Sequence, residues 1–208
     1  MTSALGATEV SAGSGRTVTV RRQTRETTVE ITIDLDGTGE TDVSTGIGFF
    51  DHLLGALGHH ALIDLAVRAE GDLEVDEHHT VEDVALVLGA ALAEALGDRA
   101  GIVRFGDASV PMDEALASAV VDVGGRPYAV IDLPFRGERV GGLPLQLVEH
   151  ALEAFARTAG ATIHLRGAGR NDHHVAEAAF KALGRALRAA CEPDARRRGV
   201  ASTKGSLG

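Results

Sequence analysis

Apolar residues take every second position in RTVTVRR (16–22) and ETTVEITIDL (26–35), and many are β-branched; this period of two predicts two strands. LDGTGE (35–40) predicts a turn at Asp36-Gly37. The spacing then lengthens in FFDHLLGALGHHA (49–61), which predicts a helix. LIDLAVRAEG (62–71) returns to a strand and a turn. HTVEDVALVLGAALAEAL (79–96) predicts a second helix, closed by Gly97. The order then starts again. Residues 113–133 carry the strand-like runs LASAVVDV and RPYAVIDL around Gly124-Gly125. LPLQLVEHALEAFARTAG (143–160) predicts a helix, ATIHLRGAG (161–169) a strand, and DHHVAEAAFKALGRALRAA (172–190) a last helix before Glu192-Pro193.

Both halves therefore read strands, helix, strand, helix, and the likeness reaches single residues. Asp51-His52 answers to Glu149-His150, an offset of 150 − 52 = 98. The run from Asp76 to Glu82 (DEHHTVE) answers to the run from Asn171 to Glu177 (NDHHVAE), an offset of 173 − 78 = 95. Leu88-Gly89 meets Leu183-Gly184 in the same frame. A duplicated unit with pseudo-twofold symmetry gives both offsets once the loops differ by three residues. The expected division is a disordered tail over 1–15, one repeat half over 16–100, the second over 101–192 and a C-terminal tail over 193–208.

Composition narrows the function. The 208 residues carry 30 acids against 20 bases, a formal charge of −10, and only 3% aromatics with no Trp. That argues against a phosphate-backbone footprint and a base-stacking surface, so no nucleic-acid partner is expected. The single cysteine, Cys191, rules out an internal disulfide and any thiolate-rich zinc site. No stretch approaches the roughly 18 apolar residues of a membrane helix, and no secretion signal is visible. The expectation is a cytoplasmic protein with no membrane partner.

The unusual feature is nine histidines, six of them in the repeat. His79 with Glu82, and His174 with Glu177, lie three apart at helix starts and so share a face. Imidazole plus carboxylate on one face is half of a first-row metal site. His78 and His173 sit roughly 100° around the helix from their neighbours, so adjacent histidines can serve different ions. With His52 and His150 the set divides into two sites of three His and one Glu. The symmetric expectation is His52, His79, Glu82 and His173 in one, and His78, His150, His174 and Glu177 in the other. Which of each adjacent pair goes where stays open, as does the choice among manganese, iron and zinc. A dinuclear hydrolase would use the same ligands, and a metal-storage protein is the non-enzyme alternative. Ferritin-like bundles put the carboxylate first, as ExxH on long helices, whereas the order here is HxxE with strands between.

Residues that break the symmetry mark where a substrate would lie. Lys181 follows Glu177 by four on the liganding face, where the first half has Leu86. A cation there costs electrostatic energy unless an anionic substrate arrives. Ser202-Thr203-Lys204-Gly205 offers hydroxyls, an ammonium and a flexible glycine, while Arg104, Arg126 and Glu26 read alone as ordinary surface residues. Cys191 lacks a basic pocket and is not expected to be a nucleophile.

Taken together, RxTxET (Arg22 to Thr27), LDGTG (35–39), TGIGFFDHLL (45–54), DEHHTVED (76–83), RFGDASVPMDEAL (104–116), GRPY (125–128), QLVEH (146–150), DHHVAEAAFKALGRALR (172–188) and STKG (202–205) resemble the imidazoleglycerol-phosphate dehydratase family. The likeness covers the chain from about residue 16. Ala201 stands where the family usually has Pro, and Leu53 or Leu54 where it often has Met. The resemblance implies an α+β fold of two tandem similar halves, each a small β-sheet with two helices, with the four helices packed between the sheets. It implies dehydration of D-erythro-imidazole glycerol phosphate to imidazole acetol phosphate in histidine biosynthesis, through a metal-bound imidazolate and two Mn2+ per active site. It also implies a homo-oligomer of 24 subunits with active sites between subunits. Carried onto this chain, the metal ligands are His52, His78, His79, Glu82, His150, His173, His174 and Glu177. Substrate contacts fall on Glu26, Arg104, Arg126, Lys181, Ser202, Thr203 and Lys204, with the tail closing on substrate. Glu177, Glu82, Glu26, His52 and His79 are the residues expected to take part in the reaction, and the general base among the three glutamates is not ranked.

Overall fold

The structure, a computed structural model, describes residues 8–207. Its elements in chain order are β1 (Thr8–Ala12), β2 (Thr17–Gln23), β3 (Thr27–Asp34), β4 (Thr41–Ser44), α1 (Gly48–Ala61), β5 (Asp64–Gly71) and α2 (His78–Leu96). There follow β6 (Phe105–Met112), β7 (Ala115–Asp122), β8 (Tyr128–Asp132), the two-residue β9 (Arg139–Val140) and β10 (Leu143–Pro144), α3 (Gln146–Ala159), β11 (Thr162–Ala168) and α4 (Asp172–Cys191). The predicted helices form to within a few residues. β4, β6 and the β9–β10 hairpin were not foreseen.

The duplication is visible in the topology. The first sheet runs β1-β2-β3-β5-β4 and the second β6-β7-β11-β8. In each, two antiparallel strands lead to a parallel pair, β4 with β5 and β8 with β11, joined through a helix. The inward faces alternate with polar outward ones, as in Val29, Ile31 and Ile33 of β3 and Ala117, Ala119 and Val121 of β7, all buried. The helices pack between the sheets: α2 lies on β2 and β3, and α4 on β6 and β7.

The disordered tail expected over 1–15 needs correction. Thr8–Ala12 form strand β1, antiparallel to β2 from Thr8↔Arg22 to Ala12↔Val18. The backbone groups on the outer edge of β2 find partners there, which a sequence window of small polar residues does not reveal. Residues 1–7 lie outside the described residues.

Helix pairing crosses the halves. α1 packs on α4, and α2 on α3. Each pair is close because one helix presents a glycine. A Cβ on Gly184 would lie 2.6 Å from the carbonyl oxygen of Leu57, and one on Gly89 would collide with that of Phe155. These are the glycines the repeat had aligned. In both pairs the helices run the same way, so their N-terminal turns meet.

Candidate active site

Where α1 meets α4, His52 Nε2 lies 2.9 Å and His173 Nε2 3.1 Å from the same Glu177 oxygen, Oε2. Where α2 meets α3, Glu82 faces His78 Nε2 at 3.9 Å and His150 Nε2 at 3.5 Å, and the His78 and His150 rings stack at 4.8 Å. In each trio the candidate ligand atoms lie within 4.8 Å of one another. The trios are repeat counterparts, and each takes two residues from one half and one from the other.

The structure brings His52 to His173 and His78 to His150, as the predicted partition has them, and corrects the glutamates, which are exchanged. Glu82 joins His78 and His150, and Glu177 joins His52 and His173; His79 and His174 belong to neither trio. At the N-terminal turns the i,i+4 pairs His78–Glu82 and His173–Glu177 are the ones in contact, 3.9 and 3.1 Å apart, while His79 and His174 turn to Asp72 and Glu114. Adjacent histidines take different partners, as expected: His78 and His173 enter the trios, while their neighbours turn to other carboxylates. His79 Nδ1 lies against Asp72 at 3.1 Å, and His174 Nδ1 against Glu114 at 2.8 Å.

The donor set suits a divalent cation. It is imidazole and carboxylate throughout, and His150 Nε2 is buried with no hydrogen-bond partner among the described residues. Burial pushes the Glu177 carboxyl up, but the Lys181 ammonium at 2.7 Å and His52 outweigh it and hold the group at about 2. The anion that offsets Lys181 is thus Glu177 itself, within the chain, so Lys181 does not by its charge alone demand an anionic substrate. Glu82 has a comparable cation in Arg157, 3.2 Å away, a residue the sequence reading missed. Phe49 walls the first trio, its ring 4.9 Å from that of His173.

Glu26 sits in the β2–β3 turn, 3.9 Å from His79 Nδ1, with its side chain 56% exposed. Behind it Asp83, buried on α2, bonds Thr27 and pairs with Arg22, which ties the turn to α2. Nothing in the sequence pattern marked Asp83.

The basic set lies elsewhere. Arg104, Arg126, Ser202, Thr203 and Lys204 line one cleft of about 320 Å³. Arg104 is already engaged there. Its guanidinium donates to Asp122 at 2.7 and 2.9 Å and to the Ala201 carbonyl at 2.6 Å, which fastens the C-terminal tail. The Arg104 backbone N–H bonds Ala190 near the end of α4, whereas His173 is at the start of that helix. The 190 − 173 = 17 residues between them span about 25 Å. Within one chain, then, the basic cleft and the histidine trios are at opposite ends. Cys191 is buried, and burial pushes its thiol up to about 12, in keeping with the absence of a nucleophilic role.

A family model for imidazoleglycerol-phosphate dehydratase matches residues 45–187. Imidazoleglycerol-phosphate dehydratase from Acidiphilium cryptum is 58% identical over 92% of this chain and 99% of its own length. Its namesake from Nocardia farcinica is 54% identical over 92% and 96%. Among solved structures, IGPD from Pyrococcus furiosus in complex with (S)-C348 superposes with a TM-score of 0.78 at 37% identity, covering 90% of this chain and 99% of that one. The Staphylococcus aureus enzyme gives 0.75 at 36% identity, covering 83% and 98%.

Proposed function

The chain belongs to the imidazoleglycerol-phosphate dehydratase family, and from that membership we propose that it dehydrates D-erythro-imidazole glycerol phosphate to imidazole acetol phosphate at a pair of divalent cations. It is a hydro-lyase of histidine biosynthesis. The observation that carries the cation pair is the repeated trio: His52, His173 and Glu177, and His78, Glu82 and His150. Each trio supplies three donors, and of the six histidines in the repeat the two left over are His79 and His174, one for each. We assign these as the fourth ligands, given to the trios of neighbouring copies, and manganese as the metal.

The proton to be removed sits on a hydroxyl-bearing carbon with no carbonyl beside it, so the substrate's imidazole relays the electrons: as its anion it expels hydroxide from the carbon it is attached to, and the diazafulvene so formed accepts the electron pair left when the neighbouring carbon loses its proton, giving an enol that tautomerises to the ketone. When bound, two cations would supply Lewis acidity to that ring and favour loss of its N–H proton. The chain's own residues do the rest. Glu177 is occupied by Lys181, His52 and His173, and Glu82 by Arg157 and the second trio. Glu26 lies outside both trios, and its side chain is exposed beside His79 rather than bonded to it; it serves as the base that takes the carbon-bound proton. Arg126, Lys204, Ser202 and Thr203 hold the phosphate, with Arg104 holding the tail that carries three of them. That grip fixes the reacting carbons relative to Glu26.

A ring, three carbons and a phosphate span only about 10 Å, far less than the separation of cleft and trios in one chain. The active site therefore takes its phosphate cleft from another copy, which supports an oligomer with shared sites; 24 subunits in the cytoplasm is the form we propose. The test is elemental analysis of the purified protein with the dehydration assay before and after chelation, and light scattering in parallel. Two ions per chain, chelator-sensitive turnover and a large assembly are expected. A fully active, metal-free protein, or an active monomer, would overturn the reading.

A further inference from the structure

The strand pairs that lead the two halves match in register. β2 meets β3 at Thr17↔Asp34, and β6 meets β7 at Phe105↔Asp122, both partners shifted equally (105 − 17 = 88, 122 − 34 = 88). The residue before β3 is Glu26 and the residue before β7 is Glu114, again 114 − 26 = 88. These two glutamates are repeat counterparts, just as His79 and His174 are. Yet they behave differently.

Glu114 is locked in place. Its Oε1 accepts the backbone N–H groups of Arg170 at 3.1 Å and Asn171 at 2.8 Å, and its Oε2 lies 2.8 Å from His174 Nδ1. Glu26 stands 3.9 Å from His79 Nδ1, past hydrogen-bond reach. That ring nitrogen is held instead by Asp72, 3.2 Å from Oδ1 and 3.1 Å from Oδ2. Asp72 opens the β5–α2 connection (72–77), which is three residues longer than the β11–α4 connection (169–171). The insertion brings in the carboxylate that displaces Glu26.

An ionised carboxylate only accepts, so Nδ1 carries the proton in both rings and the Nε2 lone pair is left for another partner. A carboxylate on one imidazole nitrogen orients the ring and strengthens the other nitrogen as a metal ligand. Two carboxylates from unrelated loops reach the same atom of counterpart histidines. We infer that Asp72 has taken over in the first half the task Glu114 performs in the second: both are positioning residues that present His79 and His174 through Nε2 to a cation, and Glu26 is thereby released to act on substrate. This deepens the proposed two-cation reading and rests on it.

The experiment titrates full-length Asp72→Asn, Glu114→Gln, Glu26→Gln and the unaltered protein with Mn2+ in a calorimeter and measures turnover of each. Asp72→Asn and Glu114→Gln are expected to bind manganese about 10- to 100-fold more weakly. Glu26→Gln is expected to keep the unaltered affinity and lose turnover. Unchanged affinity in the first two variants, or an equal loss in Glu26→Gln, overturns the inference while leaving the cation pair standing. An unaltered protein that takes up no manganese overturns both. Should one of the two positioning variants fail to fold, the other decides.

Discussion

Replacing Gly184 by Ala tests whether helix proximity builds the candidate site. The added Cβ would meet the Leu57 carbonyl oxygen at 2.6 Å and the Ala61 nitrogen at 3.2 Å, both backbone atoms that no rotamer change can move aside. Overpacking of this kind costs about 1–3 kcal/mol. Alanine returns about 1 kcal/mol of helix propensity. The net loss is up to about 2 kcal/mol, which for a chain of this length lowers the melting temperature by up to about 8 °C. Gly55 on α1 is the control, because its Cβ would meet only Thr41 Oγ1, at an ordinary 3.6 Å. There the propensity gain is unopposed, and Gly55→Ala should melt up to about 4 °C higher. Calorimetry of the metal-free proteins at matched concentration reads both signs. Gly184→Ala should also weaken manganese binding, since it separates the helix that carries His52 from the one that carries Glu177. If the two variants move upward together, the close approach of α1 and α4 is wrong, and so is the account of how the first trio is assembled.

Glu177→Gln should lose both bound metal and turnover, read by elemental analysis and the dehydration assay; unaltered rates would remove Glu177 from the site. The Glu177 carboxyl is held at about 2 against an ordinary 4.5, so its stabilisation is complete above about pH 4.5 and disappears as the pH falls towards 2. Lys181→Met removes its main cationic partner, and acid unfolding of the metal-free variant, followed by circular dichroism, should begin at higher pH than in the unaltered protein. Lys204→Ala should raise KM at least tenfold with a smaller change in kcat, as expected for a group that holds phosphate away from the reacting carbons. Cys191 should resist a thiol reagent in the native protein and react fully in denaturant; labelling without unfolding would contradict its burial.

The repeat and the candidate ligand set were legible in the sequence because both lie in side-chain identity. HHxxE written twice, with a matched upstream histidine, needs no coordinates to be noticed. Strand β6 was not legible. It holds Gly106, Asp107 and Pro111, and it is tolerated because it is an edge strand and because Gly106 lets α4 lie against it. The two glutamates were assigned to the wrong trios because i,i+3 and i,i+4 pairs both look like one face on paper, and the helix packing decides between them. Asp72 and Glu114 escaped notice for another reason. Their relation to His79 and His174 depends on loop paths, and the 88-residue offset that pairs Glu114 with Glu26 emerges only once strand register is known. The closeness of Arg104, Arg126 and the tail residues was suggested by resemblance alone, since they come from three distant parts of the chain.

Each histidine trio borrows a member across the midpoint of the chain: His52 serves residues of α4, and His150 serves residues of α2. An ancestor half as long, holding one such motif, would have had no complete trio of its own. It could have captured a cation only by associating with its twin, and the two centres so formed would have been obliged to stay identical. Fusion into one polypeptide lifted that obligation. The longer β5–α2 connection and the β9–β10 hairpin are then the marks of two centres free, since the fusion, to specialise.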